Sequence, residues 1–191
     1  MRVVVFDNVD RLSILWRNGV RLYRRLGHID AFLGVSNWSE AFAWLQSLDR
    51  IDELQYWGHG KWGLAYAGDD VWDASTKVEL PLGPDPLIWF RTCETFGAHA
   101  GHAFARSLAD QTGARVAGHT HIIGVNQSGL HGLMPGATPD WSVDEGLLEG
   151  TPEAPERARR SAPWRTHTIT FMTPRVPEAW FSREYRATAR A

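Results

Sequence analysis

Two short segments of the chain carry the residue types of nucleophilic catalysis. Leu54-Gln55-Tyr56-Trp57 runs into Gly58-His59-Gly60, and Leu87-Ile88-Trp89-Phe90 runs into Arg91-Thr92-Cys93-Glu94. Each is a short apolar run ending in glycine or polar residues, the pattern of a buried strand followed by a loop. In an open parallel sheet the carboxyl ends of the strands gather on one edge, where reactive groups belong. If these strands are neighbours, about 4.8 Å apart, His59 and Cys93 lie side by side as a nucleophile and its base. A thiol between a strand and a following helix feels the positive helix end, and a nearby imidazolium favours the thiolate, so a depressed Cys93 pKa is expected. The glycines flanking His59 allow close backbone approach. The N–H groups of Gly60 and Cys93 are the expected oxyanion donors, an interaction that lowers the barrier by roughly 3 kcal/mol in comparable enzymes. Acyl transfer through a thioester is the implied reaction.

The elements that must position these residues follow from the apolar pattern. Val3 to Phe6, Asp30 to Val35, Ile51 to Trp57 and Leu87 to Thr92 read as strands, with a fifth over Ala114 to Val125. Between the second and third, Ser36-Asn37-Trp38-Ser39-Glu40 offers capping residues ahead of Ala41, Phe42, Trp44, Leu45 and Leu48 at helical spacing. A second helix fits Gly97 to Gly113, with Gly113 as its stop. Alternating strands and helices imply an α/β fold with a mostly parallel sheet of about six strands and helices on both faces. Residues 126–163 read as a loop-rich segment, and Trp164 to Met172 as a last strand, placed at an edge by Pro174.

Composition sets the outer bounds. At 191 residues the chain suits a single domain, 1–191. Its one cysteine excludes an intramolecular disulfide and any multi-cysteine zinc site, and makes a reducing, cytoplasmic setting the default. No apolar run approaches the roughly 20 residues needed to cross a bilayer, so no membrane partner is expected. The net charge of -2 conceals an asymmetry: residues 1–150 carry 12 basic and 18 acidic side chains, and residues 151–191 carry 8 and 4. The acidic body argues against a nucleic-acid partner. The basic end, with Arg157, Arg159 and Arg160, reads first as a solvated segment and second as a weak anion-binding patch.

The Tyr-Trp-Gly-His-Gly and Leu-Ile-Trp-Phe-Arg-Thr-Cys blocks resemble the paired His-Gly and Cys blocks of the caspase and gingipain superfamily, the clan CD cysteine peptidases. Gly97, Gly101, Phe104, Ala105, Leu108, Ala109, Thr112-Gly113-Ala114 and Val116-Ala117 are also similar to an uncharacterised caspase-like domain of large bacterial surface proteins. The resemblance covers about residues 50–125. It implies a three-layer α-β-α caspase-like fold, a His59–Cys93 dyad with no obligatory third member, no cofactor, and a peptide or protein substrate. The spacing of 34 residues and Glu94 directly after the nucleophile depart from the best-known peptidases.

Other readings remain beside it. A catalytically silent caspase-like module would bind a peptide or partner protein. His99 and His102 sit three apart on the predicted helix, His119 and His121 share a strand face, and His131, Asp140 and Asp144 follow, so a metal-dependent hydrolase using His119 and His121 is conceivable. The chain has no H-E-x-x-H motif, and in the first reading no metal is bound; His119 and His121 then line the substrate cleft. A nucleotide-binding reading fails for lack of a glycine-rich phosphate loop after the first strand. Trp44 and Trp89 are expected in the core, whereas Trp57, Trp62 and Trp141 are candidate cleft walls beside Glu94 and Asp140. The acidic loop residues Asp69, Asp70, Asp73, Glu94, Asp140 and Asp144 favour cleavage after a basic residue.

Overall fold

A computed structural model describes residues 1–184; residues 185–191, part of the basic end, lie outside the described residues. Its frame is a seven-stranded sheet built from β1 (Arg2–Asp7), β2 (Ala31–Val35), β3 (Ile51–Trp57), β4 (Leu82–Arg91), β5 (Arg115–His119), β6 (Leu130–Leu133) and β7 (Phe181–Ser182). The spatial order is β7-β6-β5-β4-β3-β1-β2. The five strands from β2 to β5 are mutually parallel, β6 runs antiparallel to β5, and β7 pairs in parallel with β6.

Period-two alternation divides the core between two faces. Val3, Val5, Leu54, Tyr56, Ile88 and Phe90 point to one side. There they meet Trp38, Ala41 and Leu45 of α2 (Trp38–Gln46) and Phe104, Ala105 and Leu108 of α3 (Ala98–Thr112). On the other side Val4, Phe6 and Trp57 pack on Val20 and Tyr23 of α1 (Ser13–Arg25). Farther along that face, Leu87, Trp89, Ala117 and Leu130 are covered by Ile169, Val176 and Phe181 from the C-terminal stretch instead of a helix. Both predicted helices form. Asn37 caps α2 by accepting from the Glu40 N–H, and Gly113 closes α3 in the left-handed region at φ 67°, which glycine enters without a Cβ penalty.

Four expectations are corrected. Helix α1 has no counterpart among the predicted elements: its sequence is rich in arginine, and only Val20 and Tyr23 are buried. The fifth strand ends at His119, because His121 to Ser128 turns back to begin β6. The segment 126–163 is not merely loops. It holds β6 and a hairpin of Leu147–Gly150 with Pro155–Ala158, and β6 lacks the β-branched residues that would mark it as a strand. The predicted last strand contracts to Ile169–Thr170, paired with Asn126–Gln127 outside the main sheet, and the edge position passes to β7.

Candidate active site

Strands β3 and β4 pair in parallel with Trp57 opposite Arg91, so His59 and Cys93 stand at equivalent steps beyond the two carboxyl ends. Both line one cavity of about 620 Å³, whose other walls include Trp16, Trp57, Ile123 and Phe171. Strand order reverses between β1 and β3, the place where the connections leave a crevice in an open α/β sheet. Asp10, on the loop after β1, reaches into that crevice. Its Oδ1 lies 3.4 Å from His59 Nε2, and the Trp16 ring meets the imidazole edge-on at 5.2 Å. The Leu12 N–H, and after it His59, hold the Asp10 carboxyl below its ordinary value, although partial desolvation opposes them. The His59 side chain is 44% exposed and makes no hydrogen bond to Cys93.

The expectation of a depressed thiol pKa is overturned. Burial pushes Cys93 up to about 11, and the nearby Glu94 carboxylate adds to this; the Ile123 N–H and the Arg160 charge oppose it without prevailing. Helix α3 begins only at Ala98, so its positive end sits beyond the thiol by a full loop. Beneath the cavity lies Arg91, 4% exposed, held by Gln127 Oε1 at 2.8 Å, the Tyr23 hydroxyl at 2.6 Å and the Phe171 carbonyl at 2.8 Å. The guanidinium also faces the Trp57 and Trp89 rings.

The loop after the nucleophile is pinned from three sides. The Glu94 N–H donates to the His121 carbonyl at 3.0 Å, while the Glu94 carbonyl accepts from Trp62 N–H at 3.1 Å and Gly97 N–H at 3.0 Å. Glu94 adopts φ 29° there, a left-handed conformation that costs a non-glycine residue on the order of 1 kcal/mol or more. Gly60 belongs to the hairpin of His59–Lys61 with Leu64–Ala67, where an added Cβ would fall 2.1 Å from Thr95 Oγ1. Glycine is therefore required for the hairpin to dock on Thr92 and Thr95. Gly58 and His59 line the cavity, whereas Gly60 lies behind them.

The remaining predicted residues separate. Trp57 lines the cavity with the dyad. Trp62 and Glu94 line a second cavity of about 550 Å³, in which the Glu94 Oε2 is buried without a hydrogen-bond partner among the described residues; burial lifts the carboxyl to about 7, with the Lys61 charge opposing it. His119 and His121 are buried and line neither cavity. His119 Nδ1 lies 3.2 Å from the Ser128 carbonyl oxygen, and His121 Nδ1 2.9 Å from Thr120 Oγ1. Burial lowers their pKa values to about 3 and about 4. Trp141 is also core, stacked between Phe96 and His131 with its N–H on the Phe96 carbonyl, and Asp140 beside it is exposed away from both cavities. Among the described residues no group of three or more His, Cys, Asp or Glu side chains is arranged to hold a metal ion. No described helix is long and apolar enough to cross a membrane.

Sequence reasoning missed Asp10, Trp16 and Ile123. Asp10 lies 49 positions before His59, and only the strand order brings the two loops together. Comparisons with protein-family models, curated proteins and solved structures find no match to this chain.

Proposed function

We propose that the chain is a cysteine-dependent endopeptidase of caspase-like type, with Cys93 as nucleophile and His59 as general base. One observation carries this reading: two chemistry-bearing residues at equivalent steps beyond neighbouring parallel strands share the wall of a single cavity. The mostly parallel sheet with helices on both faces is compatible with that fold. Cys93 Sγ attacks the peptide carbonyl carbon while its proton passes to His59, which returns it to the leaving amine. Water then hydrolyses the thioester and regenerates the thiol. A thiol with a pKa near 11 is protonated at neutral pH, so proton transfer accompanies attack instead of preceding it. Asp10 orients the imidazole and stabilises the imidazolium as it forms. The Cys93 N–H serves the oxyanion; Gly60, expected as the second donor, packs on Thr92 and Thr95 outside the cavity and is not used.

A second reading, a silent caspase-like binding module, is favoured by the same raised thiol and by the missing His59–Cys93 hydrogen bond. Digesting a diverse peptide library with wild-type and Cys93→Ala protein separates the two. Cleavage abolished by the substitution and by thiol alkylation, and indifferent to chelator, supports the peptidase. Chelator-sensitive cleavage that survives Cys93→Ala supports the metal-dependent alternative. Absence of cleavage leaves the binding module.

A further inference from the structure

The second cavity has a composition that the acidic body of the chain does not announce. Lys61, Arg157, Arg159, Arg160 and Arg165 line it, against Glu94 and Glu156. Among the described residues, Arg157 alone of the five cations forms an ion pair with a carboxylate, Glu149 at 2.6 Å. Arg159 and Arg165 spend a single Nε–H each on backbone carbonyls, leaving their terminal nitrogens uncommitted among the described residues, and Lys61 rests over the Trp62 ring. Arg159 and Arg160 are exposed, so neither is a structural charge locked into the core.

This cavity neighbours that of the dyad. A small cavity of about 180 Å³ shares Ile123, Gly124 and Val125 with the cavity of His59 and Cys93, and shares Ile122 and Arg160 with the basic one. The three cavities lie side by side, with apolar residues such as Trp16 lining the one that holds the thiol and cations lining the one at Arg160. Glu94, next to the nucleophile, opens onto the basic end. The acidic residues expected to select a basic side chain do not line either large cavity, apart from Glu94: Asp70 accepts from the Trp38 N–H, and Asp73 closes a turn with Ser75 and Thr76.

We propose that the basic cavity is a subsite for a carboxylate of the peptide substrate, bound by Arg160 with Arg159, Arg165 and Lys61, adjacent to the bond that Cys93 attacks. The inference rests on the peptidase reading and names its substrate class. Five cations against two carboxylates leave the cavity net positive even with both glutamates ionised. A guanidinium with free terminal N–H groups binds a carboxylate by charge-assisted, bidentate hydrogen bonds, which a neutral amide cannot match. The carboxylate has two sources, an Asp or Glu side chain within the peptide or a free C-terminus just beyond the cleaved bond.

The test uses matched peptides that differ only in Glu against Gln, scanned across positions flanking the scissile bond, each with a free or amidated C-terminus. Turnover by the wild type and equilibrium binding to Cys93→Ala protein are both measured. Glu peptides are expected to exceed their Gln partners by roughly tenfold at one position. Arg160→Glu is expected to cancel that ratio, and a Lys at the same peptide position to restore binding to the variant. Preference tracking the free C-terminus instead of the side chain identifies the second source. Equal binding of Glu and Gln peptides with either terminus, or preference for Lys over Glu in the wild type, overturns the subsite. Cys93-dependent cleavage without acid preference removes this inference while the peptidase stands. Acid-selective binding that Arg160→Glu cancels, without any Cys93-dependent cleavage, keeps the subsite and removes the peptidase. Thermal unfolding of Arg160→Glu guards against misfolding, and Arg159→Glu supplies an independent second variant.

Discussion

Histidine occupies two regions near the carboxyl edge of the sheet, and they differ in what their neighbours ask of them. His119, His121 and His131 are buried, and each ring has a nearby acceptor or hydroxyl: the Ser128 carbonyl, Thr120, and Glu145 at 2.9 Å from His131 Nε2. His131 is further stacked on Trp141. His59 is nearly half exposed, touches one carboxylate at 3.4 Å, and shares a cavity with a thiol. Residue type is the same in both places. A ring enclosed by the core serves architecture, even where a nitrogen such as His119 Nε2 has no hydrogen-bond partner among the described residues, whereas one left half exposed beside open volume is free to act on something else.

Four measurements sharpen or break this division. The largest expected effect is on turnover: His59→Ala should slow Cys93-dependent cleavage by about 10²-fold or more, the usual worth of a general base, with little change in thermal stability. An equal loss of stability would move His59 into the architectural class. Next is acid sensitivity. Burial holds the folded-state pKa of His102, His119 and His121 at about 4, about 3 and about 4, below the ordinary 6.5. The unfolded chain therefore binds more protons in that window, and stability should fall as pH drops from about 6.5 toward 4. Tm recorded across pH 4–8 checks the sign, and a flat profile would show that these rings are not neutral and buried.

A smaller effect is expected for Glu145→Gln. It weakens the bonds to His131 and Thr120 and should cost on the order of 1–3 kcal/mol in denaturant unfolding, while leaving the pH dependence of cleavage in place. The smallest is Asp10→Asn, which should reduce turnover severalfold with little change in Tm, since an amide oxygen keeps the acceptor for the Leu12 N–H while the charge beside His59 is lost. If Asp10→Asn instead equals His59→Ala in turnover, the carboxylate is as important as the base.

The parts of this picture that the sequence shows are those written in local pattern. Strands β3 and β4 are continuous apolar runs, α2 and α3 carry their own cap residues, and the His59 and Cys93 positions follow from the strand ends alone. What it hides is written in long-range placement. Helix α1 turns Leu15 and Leu22, with Leu12 just before it, toward the cavity and leaves Ile14 exposed instead of burying a clean apolar stripe. Asp10 meets His59 only because β1 and β3 are neighbours. The Arg157–Arg165 segment reads as solvated until the hairpin folds it over Glu94. The thiol's raised pKa depends on how much protein surrounds it, which no spacing encodes.

Arg91 bears on the order of events during synthesis. Its partners lie 36, 68, 80 and 82 positions away, at Gln127, Tyr23, Phe171 and Thr173. The floor under the dyad therefore cannot close when β3 and β4 first pair; it waits until the chain has been extended past residue 173. Contacts of such sequence separation form late in folding, so a nascent chain presents His59 and Cys93 on an unfinished support until Phe171 and Thr173 have left the ribosome.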